Sequence, residues 1–145
     1  MQMQSKLIPS IYKCFKIHYL GVMTWSNILL VALGGALGAV TRYLFSNFIP
    51  FDGQQFPWAT FLINTLGSLL IALFYLKFGQ EESNLPLKLL LMTGFCGGFT
   101  TFSTFSFETI KLIQNRQFVL TIIYVFGSVF AGLSAVWAIL QTSKN

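Results

Sequence analysis

The sequence predicts an all-α membrane protein of four transmembrane helices, the third of them broken near its middle. Three observations carry this. Of 145 residues, 54% are hydrophobic, 17% aromatic and only 9% charged, with a mean hydropathy of +0.69. A soluble domain carries roughly 25% charged residues, so this chain lacks the polar surface to stay dissolved. The apolar residues gather in four runs, about 25–48, 56–78, 85–107 and 118–140, each near the ~20 residues a helix needs to cross a hydrocarbon core. The third run contains 94-GFCGGFTTFSTFSFE-108, where three glycines and five Ser/Thr residues interrupt an otherwise aromatic stretch.

Residues 1–24 stand apart as an N-terminal tail, outside the transmembrane domain expected over 25–142. Lys6, Lys13, Lys16 and His18 are scattered among apolar residues there. A secretory signal would need a small-residue cleavage site that is not evident. An amphipathic surface segment is a second reading, and translation beginning at Met23 is a third. Cys14 and Cys96 lie far apart and, with the single His18, give neither metal-ligand spacing nor a disulfide framework.

The connectors fit the four runs. Pro50, Asp52 and Gly53 make a turn, 79-GQEESN-84 is a polar loop ahead of Pro86, and 111-KLIQNRQ-117 is a third break. Trp25, Trp58 and Trp137 fall near run ends, where indole rings favour the headgroup region. Small residues repeat every fourth position at Gly34 and Gly38, and again at Gly127, Ala131 and Ala135. Such faces let backbones approach closely where lipid removes the hydrophobic incentive to associate. Four spans of this length enclose little volume, so self-association is expected.

Orientation follows from the basic residues. One side receives Lys6, Lys13, Lys16, Lys77, Lys88 and Lys144, the other Arg42, Lys111 and Arg116, which favours a cytoplasmic N-terminus. Without the tail the two sides are balanced.

Ionisable groups within the runs are few. Arg42 sits in 41-TRY-43, either snorkelling to the headgroups or forming a positive vestibule that attracts anions. Glu108 is read as an interfacial helix-end carboxylate. In 63-INTLGS-68, Asn64 and Ser68 share a helical face; the asparagine either bonds to another helix or offers its NH₂ to a passing solute.

The interrupted stretch is the most informative. Gly94, Gly97 and Gly98 weaken a helix, and the hydroxyls from Thr100 to Ser106 compete for backbone partners. A broken backbone at membrane depth is tolerated only where it is buried or lines a cavity, and its free carbonyls can hold a cation. Beyond the break Phe102 and Phe105 share a face, as do Thr101 and Thr104. Phenyl rings have a positive edge. Ring edges with hydroxyl donors suit a small, strongly hydrated anion without a fixed positive charge to trap it; aromatic packing between helices is the plainer alternative.

Taken in order, 34-GGALGAVTRY-43, 63-INTLGS-68 and 94-GFCGGFTTFSTFSFE-108 closely resemble the Fluc fluoride channel family, also known as CrcB, over about residues 25–140. The resemblance implies an antiparallel, dual-topology homodimer with two fluoride pores and a structural sodium ion (Na+) at its centre. It implies passive export of fluoride that enters acidic cells as HF, from a prokaryotic-type plasma membrane. By the same resemblance Phe102, Phe105 and Asn64 would line the pore, Ser103 and Thr104 would match its hydroxyl positions, and Arg42 its first-span arginine. Tyr124, in 124-YVFGS-128, matches a fourth-span tyrosine, and the backbone carbonyls of Gly97 and Thr100 would hold sodium. The expected partners are fluoride, sodium and a second copy in the membrane, with no nucleic acid. The rival reading, a small proton-coupled four-span exporter, wants a carboxylate in the first run, and 25–48 has none. An enzyme is not expected, because no nucleophile and base pair is in view.

Overall fold

The computed structural model describes residues 24–79 and 81–142, so the readings made for the N-terminal tail, with Cys14, His18 and Met23, lie outside the described residues, as does Lys144. Regular structure among the described residues is helical, and four helical stretches are long and apolar enough to cross a membrane.

The first span is α1, Trp25–Phe48, opened by Thr24, whose hydroxyl oxygen accepts from the Asn27 N–H at 3.2 Å and so satisfies one otherwise unpaired helix-end donor. The second, α2, is Trp58–Phe78. It starts after Pro57, so Phe56 belongs to the preceding loop. A short 3₁₀ turn, Glu82–Asn84, leads into the third span, Leu85–Gln114. This span comprises α3 (Leu85–Leu87), a π-helical segment (Lys88–Cys96), α4 (Gly97–Phe99) and α5 (Phe102–Gln114). The fourth span, α6, is Phe118–Thr142.

The third span therefore runs past residue 107. Lys111, assigned from sequence to a connector, lies in the last turn of α5, its ammonium 5.5 Å from the Phe107 ring centroid. A long apolar stem lets lysine remain helical at a span end. Lys88, counted with the second loop, is the first residue of the π-helical segment and is buried.

Packing follows the small residues. α1 lies along the π-helical segment and α4, while α2 packs against α6. A Cβ at Gly34 would meet the Leu90 carbonyl oxygen and stand 2.9 Å from the Phe95 nitrogen; one at Gly38 would meet the Phe95 carbonyl oxygen. The backbones approach too closely for any side chain there. The loop between α1 and α2 is tied to the opposite turn, where Asn115 Nδ2 donates to the Gly53 carbonyl at 2.8 Å.

Candidate functional site

The backbone leaves the helix between α4 and α5. Thr100 (φ −76°, ψ 157°) and Thr101 (φ −149°, ψ 117°) are both extended. Each is held by a specific partner. The Thr100 N–H and hydroxyl both donate to the Cys96 carbonyl, at 3.0 and 2.9 Å. The Thr101 N–H donates to Asn64 Oδ1 at 2.9 Å, and Asn64 Nδ2 donates to the Thr101 carbonyl at 3.1 Å. A backbone group released at membrane depth needs such a partner, and one amide side chain supplies both. Asn64 thus makes the interhelical bond that the sequence left as one of two alternatives. An NH₂ group has two N–H donors, of which Thr101 takes one, and Asn64 also lines a cleft.

Thr101 also starts α5. Its hydroxyl accepts from the Thr104 N–H at 3.2 Å and donates to the Thr104 hydroxyl at 3.0 Å, with Ser103 Oγ 3.3 Å away. Three hydroxyls are therefore clustered at the N-terminal end of α5.

A cleft of about 580 Å³ opens beside the extended pair, its walls including Asn64, Thr100, Thr101, Phe102, Phe105 and Ser128. The Phe102 and Phe105 rings lie 5.9 Å apart at 37°. Phe105 is half-buried, but Phe102 is 80% exposed. Ser128 Oγ is buried without a hydrogen-bond partner among the described residues.

Phe105 links this cleft to a buried polar cluster. Its ring lies 5.0 Å from that of Tyr124, whose hydroxyl donates to Glu108 Oε2 at 2.7 Å. Glu108 Oε1 accepts from the Thr60 hydroxyl at 3.0 Å. Glu108 is 5% exposed, so it is not the interfacial helix-end carboxylate expected from sequence. It lies inside α5, which continues to Gln114, and two hydroxyl donors offset the cost of burying it. Thr60 was not foreseen; the usable signal was the acid itself, since an intramembrane carboxyl implies a partner.

The structure thus brings Asn64, Gly97, Thr100, Phe102 and Phe105 to one cleft, with Ser103 and Thr104 adjoining through Thr101 and Tyr124 adjoining through Phe105. Arg42 does not join them: it is half-exposed on α1 and forms no part of the cleft wall. No cluster of three or more His, Cys, Asp or Glu side chains able to hold a metal occurs among the described residues. Oxygens of the backbone and of Ser, Thr and Asn side chains remain as ligand types, and no backbone N–H outside the helices donates to the Gly97 or Thr100 carbonyl among the described residues.

Comparison with known proteins extends this. A family model described as "CrcB-like protein, Camphor Resistance (CrcB)" matches residues 29–140. The "Fluoride-specific ion channel FluC" of Flavobacterium psychrophilum is 45% identical over 121 residues, covering 82% of this chain and 98% of its own. That of Chlorobaculum tepidum is 44% identical over 117 residues, covering 80% and 93%. "Fluoride-specific ion channel FluC 2" of Rhodococcus jostii is 46% identical over 111 residues, covering 77% and 93%.

Proposed function

This chain belongs to the CrcB family, and from that membership and the cleft we propose a passive, fluoride-selective channel that lets fluoride leave the cell across its membrane. The carrying observation is the juxtaposition of Phe102 and Phe105 with Asn64 and the Thr101, Ser103 and Thr104 hydroxyls beside the extended Thr100–Thr101 pair. Fluoride sheds water only where other donors replace it. Ring edges, the second Asn64 N–H and the Ser128 hydroxyl, which has no partner among the described residues, offer that replacement. None carries a full positive charge, so the ion is not trapped. Tyr124 enters as the support for Phe105, its hydroxyl being taken by Glu108.

The same reading takes the extended pair as the break in the third span and the Gly97 and Thr100 carbonyls as sodium ligands. The fit rests on chemistry: both are hard oxygen donors, and Thr100 is non-helical, so its carbonyl lies outside the helical ladder. When bound, sodium would neutralise the converging carbonyl dipoles and tie the segments that supply them. Two oxygens are fewer than a hard cation takes. A second copy would complete the set, and an antiparallel homodimer would also cover the exposed Phe102 ring. The carrier alternative wants an acid in its first span, and α1 contains no carboxylate; the buried Glu108 of the third span is tied to Thr60 and Tyr124.

The test is fluoride efflux from liposomes holding the purified protein, with chloride as the comparison. Fluoride should leave rapidly without a proton gradient while chloride stays. Equal rates for both ions, or efflux that requires a proton gradient, would sink the proposal.

A further inference from the structure

Gly67 sits in α2 one turn beyond Asn64 and is buried. Its backbone is helical, so no unusual dihedral calls for glycine, and alanine is the better helix former. What calls for glycine is a neighbour. A Cβ at position 67 would collide with the Thr100 Cγ2 methyl and lie 3.5 Å from Phe99 Cδ1.

That methyl is not free to swing aside. The Thr100 hydroxyl on the same Cβ is anchored to the Cys96 carbonyl at 2.9 Å, so another rotamer forfeits the bond. The following residue is anchored too, because both Thr101 amide groups are taken by Asn64. Asn64 and Gly67 share a face of α2. The extended pair is therefore docked on one surface at two adjoining points, a polar clamp and a notch.

We infer that Gly67 is a positioning residue for the channel: the space left by its missing side chain seats the Thr100 methyl and so fixes the Thr100–Thr101 backbone beside the cleft. The inference deepens the channel reading above and rests on it for its effect on flux. Gly67→Ala keeps the helix but fills the notch, so the pair must move off α2.

The experiment is a double-mutant cycle of wild type, Gly67→Ala, Thr100→Ser and Gly67→Ala/Thr100→Ser. Serine keeps the hydroxyl and removes only the colliding methyl. Fluoride flux in liposomes and thermal unfolding of the purified proteins are both read. Gly67→Ala should lose about tenfold in flux, a coupling of the size found between residues in contact, and should unfold earlier. The double variant should recover to the level of Thr100→Ser in both readouts.

Wild-type behaviour of Gly67→Ala would overturn the inference, as would a double variant no better than Gly67→Ala. If Gly67→Ala yields no folded protein, recovery of folded protein in the double variant supports the inference and continued failure overturns it. A wild-type protein that passes no fluoride would sink the channel reading instead, and the cycle would then be judged on thermal unfolding alone.

Discussion

Tyr124→Phe deletes one oxygen and leaves its ring's neighbours in place, Phe105 at 5.0 Å and Phe56 at 5.5 Å. Glu108 Oε2 loses a donor at 2.7 Å, while Oε1 keeps Thr60 at 3.0 Å. Two scales bear on the cost. With Glu108 ionised, a hydrogen bond to it is worth ~1.5–3 kcal/mol. Interhelical bonds in membranes average ~0.6 and reach ~1.7 kcal/mol, because the unfolded chain also finds partners in the bilayer. The ranges overlap near ~1.5 kcal/mol, roughly tenfold in the folding equilibrium, and that is the expected loss. A second background sharpens it. Glu108→Gln keeps a carbonyl acceptor for Tyr124 without the charge, so the same tyrosine substitution should then cost only ~0.5–1 kcal/mol. Reversible unfolding of all four proteins in mixed micelles gives both numbers. A loss below ~0.5 kcal/mol in the native background, or the same loss in both, would refute the ionised form of Glu108 as the partner of this hydroxyl.

Further outcomes can be checked alongside. Phe102→Ile and Phe105→Ile keep bulk but remove the ring quadrupole, so fluoride flux should fall about tenfold, the upper end of what ring electrostatics adds; retained flux in both would sink the ring-edge mechanism. Asn64→Ala strips partners from both Thr101 amide groups, at ~1–3 kcal/mol each, and its unfolding midpoint should fall by more than that of Tyr124→Phe. A Cβ at Gly97 meets nothing within 4 Å in this chain, so Gly97→Leu should leave the protomer folded and disrupt the proposed homodimer; cross-linking that captures a dimer of the variant as readily as of the wild type would remove Gly97 from the proposed interface. A cysteine at Ser83, in a background lacking Cys14 and Cys96, should be labelled from both faces of intact cells, and one-sided labelling with full flux would rule out the antiparallel homodimer.

The spans were legible because hydropathy needs no tertiary information. Their ends lie within two residues of expectation except in the third span, where a lysine was read as a stop although it is helical, with its ammonium over the Phe107 ring. The pairing of Phe102 with Phe105 was legible as well, since two residues three apart on a helix are neighbours wherever the helix goes. Glu108 was misplaced for the same reason as the span end: Lys111 and Arg116 made its surroundings look like headgroup territory. The fate of Asn64 could not be read at all, because a side-chain amide serves a pore or a backbone equally well, and only the fold decides which groups come within reach. Gly67 carried no signal of its own within 63-INTLGS-68, because its role is set by a methyl on the third span. Thr60 carried no pattern of its own.

These residues, each opaque alone, form a pattern when set on one helix. Thr60, Asn64 and Gly67 are spaced four and then three apart, which places them on a single stripe of α2. Each meets the third span at a different level: Thr60 at Glu108, Asn64 at Thr101 and Gly67 at Thr100. A continuous helix satisfies its own backbone and needs no such partner, whereas one that leaves helical geometry at membrane depth needs outside groups for what it releases. The second span supplies that partner through Asn64, with Thr60 holding a side chain and Gly67 leaving room for a methyl in the same register, so the geometry of the cleft is set as much by α2 as by the segment that lines it. Leu66 and Leu73 point away from this stripe and are exposed in the single chain; apolar substitutions there change lipid or partner contacts without moving the extended pair. The stripe, not the apolar bulk of the helix, ties this span to the chemistry of the site.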